Sequence, residues 1–277
     1  MRTLTDEELD QFRDQGFVVL PDVLSANRIT LLRAAIARMI EEREIFISQH
    51  REEVNEMRAA EARGEIIHAT EWVHVVTQMY QLWERLPAMG EHALDPGLAE
   101  MARAALNVPK LRLWFDQAMV KQPGDQATPF HQDNSYLPFD AESVITIWAP
   151  VTAVSEAMGC LRYVPGSHRW KRLPAIPLAG RDDLKSVLDD PDCLARAVGA
   201  EIPEGGVVMH HGSVIHGTNA NTTDRPRPVV LTCYYPDGAR RMGPLRQYAI
   251  ERDCVAEGEL VRGPGLPVVA SIDEGSR

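Results

Sequence analysis

The sequence predicts a β-sandwich or β-barrel core entered through a helical N-terminal third. A change of texture, a pattern of strands and a length predict it. As far as Val108-Pro109, apolar residues recur at helical spacing. Beyond that point they gather into short β-rich runs bounded by Gly and Pro: Leu111–Val120, Val144–Trp148, Cys160–Val164, Val207–His210 and Val229–Tyr235. Short strands punctuated by turns build sandwiches and barrels, whereas regular alternation with helices would build a parallel sheet. The 277 residues, 44% hydrophobic and 25% charged, suffice to bury a large core without disulfide or metal staples.

Thr5-Asp6-Glu7-Glu8 is a capping box, so a short helix should run to about Gln15 and stop at Gly16. Phe17-Val18-Val19-Leu20 follows as a strand. Ser25 caps a second helix, through about Glu42, that buries Ile29, Leu32, Ile36 and Ile40 on one face. Residues 43–66 are charged (Arg51-Glu52-Glu53, Glu56, Glu61-Ala62-Arg63) and read as a solvated helix face. Thr70 is expected to cap a third helix carrying Trp72, Val75, Val76, Met79, Leu82 and Trp83, ended by Pro87. Asp95 and Pro96 open a further helix near 96–106. Within the β-rich part, 169–200 is a polar excursion over the barrel mouth, with a helix near Asp182–Asp190, and 263–277 reads as a loose tail. No repeat, low-complexity tract or linker divides the chain. One domain is expected over 1–277: a helical part over about 1–107, the core over about 108–246 and an extension over 247–277.

The net charge of −11, from 29 basic and 40 acidic residues, argues against a nucleic-acid partner, which would need a broad basic face. No apolar run is long enough to span a bilayer, so no membrane partner is expected. The opening residues lack the apolar stretch of a secretory signal. The four cysteines, Cys160, Cys193, Cys233 and Cys254, form no CxxC pair, and free thiols fit a cytoplasmic location.

Chemistry concentrates at His131-Gln132-Asp133, His216 and Arg227. On a strand, residues i and i+2 share a face, so an imidazole and a carboxylate would project together. That is two thirds of a 2-His-1-carboxylate triad, which holds Fe(II) with open coordination positions. His216, between the strand Val207–His210 and the strand Val229–Tyr235, is the candidate for the third ligand. Arg227, eleven residues on, would present a permanently charged fork suited to a dicarboxylate, and Thr218 a hydroxyl donor. Each part has a plain alternative. An HxD is commonly a turn histidine with an Asp cap. His210 reads as a core or pocket histidine, and His211 at most supports the ligands. Arg225 competes with Arg227 on spacing alone, though Pro226 favours Arg227. His168 would pin the turn after Pro165-Gly166-Ser167. Asn134, Tyr136 and Phe139 follow the motif closely enough to touch substrate. His50, His68, His74 and His92 read as surface or packing residues.

Taken together, His131-Gln132-Asp133 with Tyr136, Trp148, the turn Val164-Pro165-Gly166-Ser167-His168, and His216-Gly217-Thr218-x-x-Asn221 closing at Arg227 resemble the phytanoyl-CoA dioxygenase family. The opening stretch Leu4 to Ser25 is also similar to it. The resemblance covers roughly residues 4–246 and is weakest over 43–90 and 169–200. It implies a double-stranded β-helix (jelly roll, cupin-like) core with flanking helices. It implies a dioxygenase that uses Fe(II), 2-oxoglutarate and O2 to hydroxylate an unactivated C–H of a small molecule, releasing succinate and CO2. His131, Asp133 and His216 would bind the metal. Arg227 and Thr218 would grip the distal carboxylate of 2-oxoglutarate, with Trp148 and Gln117 lining its pocket; a barrel-rim role for Gln117 is equally open. Related halogenases replace the carboxylate ligand with a small residue. This chain keeps Asp133, which favours hydroxylation, desaturation or ring chemistry over halogenation. The substrate is expected to be a natural-product intermediate, an amino-acid derivative or an acyl compound. The alternative is a metal-binding jelly roll, ligand-binding or hydrolytic, without oxygenase activity.

Overall fold

The computed structural model describes residues 2–49, 51–52, 55, 59, 77–142, 144–175, 184, 188–243 and 248–272. Helix α1 (Asp6–Gln15) starts at the expected capping box and ends at Gly16, whose φ of 83° is a left-handed conformation that glycine adopts without strain. Strand β1 (Phe17–Leu20) follows directly. Helix α2 (Ala26–Gln49) runs past the expected end near Glu42. Helices α3 (Pro87–Ala93) and α4 (Pro96–Leu106) each carry Pro in the first turn, and Asp95 caps α4 by accepting from the amides of Gly97 and Leu98.

The expected helix over 70–87 is a correction. Thr77–Tyr80 is a strand, β2, followed by a 3-10 turn at Leu82–Glu84, while Thr70, Trp72, Val75 and Val76 lie outside the described residues. The apolar spacing of Met79, Leu82 and Trp83 mimicked a helix, but backbone pairing of β2 with a sheet edge overrode local pattern. The tail is a second correction: Val268–Ser271 is strand β11 on the same sheet. The helix expected near Asp182–Asp190 falls largely outside the described residues, as do His50, His68 and His74.

The remaining strands are β3 (Lys110–Lys121), β4 (Thr128–His131), β5 (Ile145–Pro150), β6 (Leu161–Tyr163), β7 (Val198–Ala200), β8 (Val207–His211), β9 (His216–Thr218) and β10 (Arg227–Pro236). Among the described residues they form a seven-stranded sheet, ordered β1-β8-β5-β10-β3-β11 with β2 also on β3, and a four-stranded sheet, β4-β9-β6-β7. All pairings are antiparallel, and the fold is the jelly roll that the resemblance implied. Strand alternation divides the large sheet. Val207, Met209, Ile145, Ile147 and Val230 point outward onto α2 and α4, in a core with Leu32, Ile36, Met39, Leu98 and Met101. Val208, Trp148 and Val229 point inward, toward Leu161 and Tyr163 of the small sheet. The register of β3 on β10 shifts beside Trp114, a bulge that sets Phe115 opposite Cys233. No described helix is long and apolar enough to cross a membrane.

Candidate active site

His131 ends β4 and His216 begins β9, and the two are register partners. Cross-strand pairing therefore brings together imidazoles far apart in sequence, with ring centroids 4.4 Å apart. Asp133 does not sit on the strand, as i, i+2 alternation predicted. It opens a 3-10 turn, Asp133–Tyr136, that folds the carboxylate back over His131. The turn is fixed by buried amides. Gln132 donates to the Ser213 carbonyl and accepts from the Leu173 amide; Asn134 donates to Ser213 Oγ and to the Glu142 carbonyl. Gly212 is required here, because a Cβ would lie 2.3 Å from Asn134 Oδ1.

One ligand atom from each of His131, Asp133 and His216 lies within 4.8 Å of the others. His131 Nδ1 is 2.9 Å from the Pro129 carbonyl and His216 Nδ1 is 3.0 Å from the Val214 carbonyl. A carbonyl only accepts, so both Nδ1 atoms carry the proton and both Nε2 atoms turn a lone pair inward. Those nitrogens lie 3.6 and 3.7 Å from Asp133 Oδ1. Burial, and His131 alongside, push His216 down to about 3, so its ring stays deprotonated as a ligand must be. Burial opposes ionisation of Asp133, but the neighbouring His216 and His131 and the hydrogen bond from His210 outweigh it and hold the carboxyl well below the usual range. Two imidazole nitrogens and a carboxylate oxygen within 4.8 Å of one another are a donor set that fits Fe(II).

The other oxygen of Asp133 was not anticipated in its contacts. Oδ2 accepts from Thr146 Oγ1 at 3.0 Å and from His210 Nε2 at 3.2 Å. His210, read as a core or pocket residue, is thus the histidine that supports the ligands. His211 instead accepts from the Ser213 amide. The available signal was alternation: Val208 and His210 share the inward face of β8. His168 pins its turn as expected, its Nε2 on the Arg13 carbonyl, and His92 is fully buried in α3.

Arg227 begins β10 opposite Lys121 of β3. It is 1% exposed and forms no salt bridge among the described residues. Nη1 donates to the Gly159 carbonyl at 2.6 Å, Nε has no hydrogen-bond partner, and the guanidinium carbon sits 5.0 Å from the Trp148 ring centroid. A buried cation held against an indole, with an unused donor, is built to receive an anion. Arg225 is exposed beside Asp224. Lys121, which the sequence did not single out, donates to the Gln126 carbonyl, Thr218 Oγ1 and the Asn219 carbonyl. Thr218 also accepts from the Thr128 amide, which leaves its own hydroxyl hydrogen to donate. Gln117 and Trp148 flank Leu231 in one row of the large sheet, and Gln117 donates to Gln78. Phe115, Met119 and Leu231 are only half-buried on these inward rows, so the space between the sheets remains accessible.

The family model described as "Phytanoyl-CoA dioxygenase (PhyH)" matches residues 12–229. A zebrafish (Danio rerio) protein, "Phytanoyl-CoA dioxygenase domain-containing protein 1", is 26% identical over 265 residues, covering 83% of this chain and 89% of that one. "Probable phytanoyl-CoA dioxygenase" of Caenorhabditis elegans is 29% identical over 159 residues, 54% of this chain, and the match spans 51% of that protein. The solved structure of the "non-heme alpha ketoglutarate dependent carbocyclase SnoK from nogalamycin biosynthesis" superposes with a TM-score of 0.76 at 28% identity, covering 96% of this chain and 97% of that one.

Proposed function

The chain belongs to the phytanoyl-CoA dioxygenase family, and on that premise we propose that His131, Asp133 and His216 hold its iron while Arg227, Trp148, Thr218 and Gln117 seat its 2-oxoglutarate. It is an Fe(II)- and 2-oxoglutarate-dependent oxygenase that consumes O2. The bound metal supplies activation of dioxygen, coupled to oxidation of 2-oxoglutarate to succinate and CO2. The protein's residues provide placement. His131 and His216 offer Nε2 lone pairs whose direction is set by backbone carbonyls. Arg227 binds the distal carboxylate through the buried end of the cavity, and the hydroxyl of Thr218 donates to the same group. Phe115, Met119 and Leu231 give the space beside the site an apolar lining.

The substrate in this reading is a free small molecule, hydroxylated at an unactivated C–H. Apolar lining supports it, and so does the state of the basic residues outside the cavity. Arg241 pairs with Glu251, Lys171 lies 3.5 Å from Asp189, and Arg169 donates to the Arg13 carbonyl, so these groups are not gathered to hold a coenzyme A diphosphate. The unpaired cysteines, with Cys160, Cys193 and Cys233 buried, support a reducing cytoplasm. The observation that carries the reading is the buried, unneutralised Arg227 opposite Lys121, whose ammonium reaches Thr218 on the strand that begins with the ligand His216. Anaerobic addition of Fe(II) and 2-oxoglutarate should give a weak visible charge-transfer band. Under air, succinate should form, and Asp133→Ala should reduce it to background. Undiminished succinate from that variant would falsify the site.

A further inference from the structure

Asp133 divides its two oxygens between different tasks. Oδ1 faces the two ligand imidazoles, whereas Oδ2 is turned into the large sheet, onto Thr146 and His210. Those two residues are register partners on β5 and β8. They lie in a single inward row that runs Phe115, Cys233, Thr146, His210, Phe17 across five strands. Most of that row is apolar; its polar pair lies under the carboxylate.

Hydrogen-bond bookkeeping fixes the state of the His210 ring. An ionised carboxylate can only accept, so Nε2 carries the hydrogen. The other nitrogen, Nδ1, lies 2.9 Å from the hydroxyl of Tyr163, which is fully buried. With the hydrogen on Nε2, Nδ1 of the neutral ring is an acceptor, so the phenol O–H donates to it. Phe17 stacks on Tyr163 with ring centroids 4.1 Å apart and planes 10° from parallel, which locks the phenol in place. The assignment is opposite to that of the ligand histidines, whose hydrogens sit on Nδ1. Yet the rings are close neighbours, with His210 and His216 centroids 4.5 Å apart. Tautomer, set by the outer partner of each ring, is what separates the two ligands from the support.

We propose that His210 is a positioning residue, held as the Nε2–H tautomer by Tyr163, that ties down Asp133 Oδ2 so that only Oδ1 is presented to the metal. A carboxylate free to rotate could offer both oxygens and occupy a position that the cosubstrate needs. The proposal rests on the metal-site reading above and adds a named residue and a named proton to it.

Two measurements test it, and neither uses turnover. The first is Co(II) binding to metal-free protein, followed by its visible absorption. His210→Met should weaken binding by about 10- to 100-fold, the usual cost of losing an outer partner of a ligand. His210→Gln, whose amide nitrogen can take the place of Nε2–H, should recover most of that loss, and thermal melting of the metal-free variants should show both folded. Wild-type affinity in His210→Met, or equal losses in the Met and Gln variants, would overturn the proposal. The second uses the unaltered protein and so survives a variant that fails to fold. Nitrogen-detected NMR of the His210 ring should show hydrogen on Nε2 and an acceptor at Nδ1; the reverse tautomer overturns the assignment. Should the unaltered protein itself fail to bind Co(II), the metal reading falls as well, which separates that failure from one confined to His210.

Discussion

The two ends of the proposed site are charged in opposite senses and finished to different degrees. At the metal end the protein meets its own polar needs. Asp133 Oδ2 has two donors, both ligand imidazoles have carbonyl partners, and the amides of Gln132 and Asn134 are bonded on both sides. At the arginine end, Arg227 has one backbone acceptor, an idle Nε and, among the described residues, no carboxylate. Burying an uncompensated charge costs several kcal/mol, so this end opposes folding until an anion arrives, whereas the metal end is preorganised without one. Binding energy is therefore stored in fixed lone pairs at one end and in an unneutralised cation at the other.

Arg227→Leu should have the largest effect. Truncating one member of a buried charge pair costs about 2–5 kcal/mol, so the KM for 2-oxoglutarate should rise by roughly two orders of magnitude. Co(II) affinity should not change, because no ligand contact involves Arg227. Removing an unpaired buried charge should also leave the melting temperature of the metal-free protein unchanged or higher. A variant that melts much lower would mean that Arg227 is a structural cation and that the asymmetry is illusory. Lys121→Met should give the converse signature. Its ammonium satisfies three acceptors, and orphaning buried acceptors costs about 1–3 kcal/mol each. Stability should therefore drop by about 2–4 kcal/mol in a denaturant titration, while KM rises far less than in Arg227→Leu.

Sequence reading reached these two ends unequally, for physical reasons. Helix α1, β1 and α4 were legible because their signals are local: a capping box, a left-handed glycine, a Pro after an Asp cap. Strand β2 and strand β11 were not, because each is held by pairing to β3, a partner distant in the chain. The candidate ligands were legible as residue types in a characteristic order, yet the geometry that joins them was not. Asp133 arrives by a 3-10 turn, and His131 meets His216 through strand register, which no local pattern encodes. His210 had only weak alternation to recommend it, and Thr146, Tyr163 and Lys121 carried no signal at all. Their roles come from lying opposite the right neighbour across a sheet or between two sheets.

The smallest expected effect concerns pH, and it is confined to the arginine end. Burial lowers Lys121 to about 8, Arg227 adds to that lowering, and Asp125 partly offsets it. In the proposed binding mode the distal carboxylate of 2-oxoglutarate feels the charge of two cations below that value and of one above it. A bound anion stabilises the charged form of Lys121, so affinity should fall as pH rises through about 8. The limit is about tenfold for each unit by which the anion raises the ammonium. The carboxylates of 2-oxoglutarate are ionised throughout this range and contribute no slope of their own. Steady-state KM measured between about pH 7 and pH 9 should climb in the unaltered protein and stay flat in Lys121→Met, since that variant has nothing left to titrate there. A slope that persists in the variant would assign the titration elsewhere and leave Arg227 as the sole charge at this end that matters to the cosubstrate.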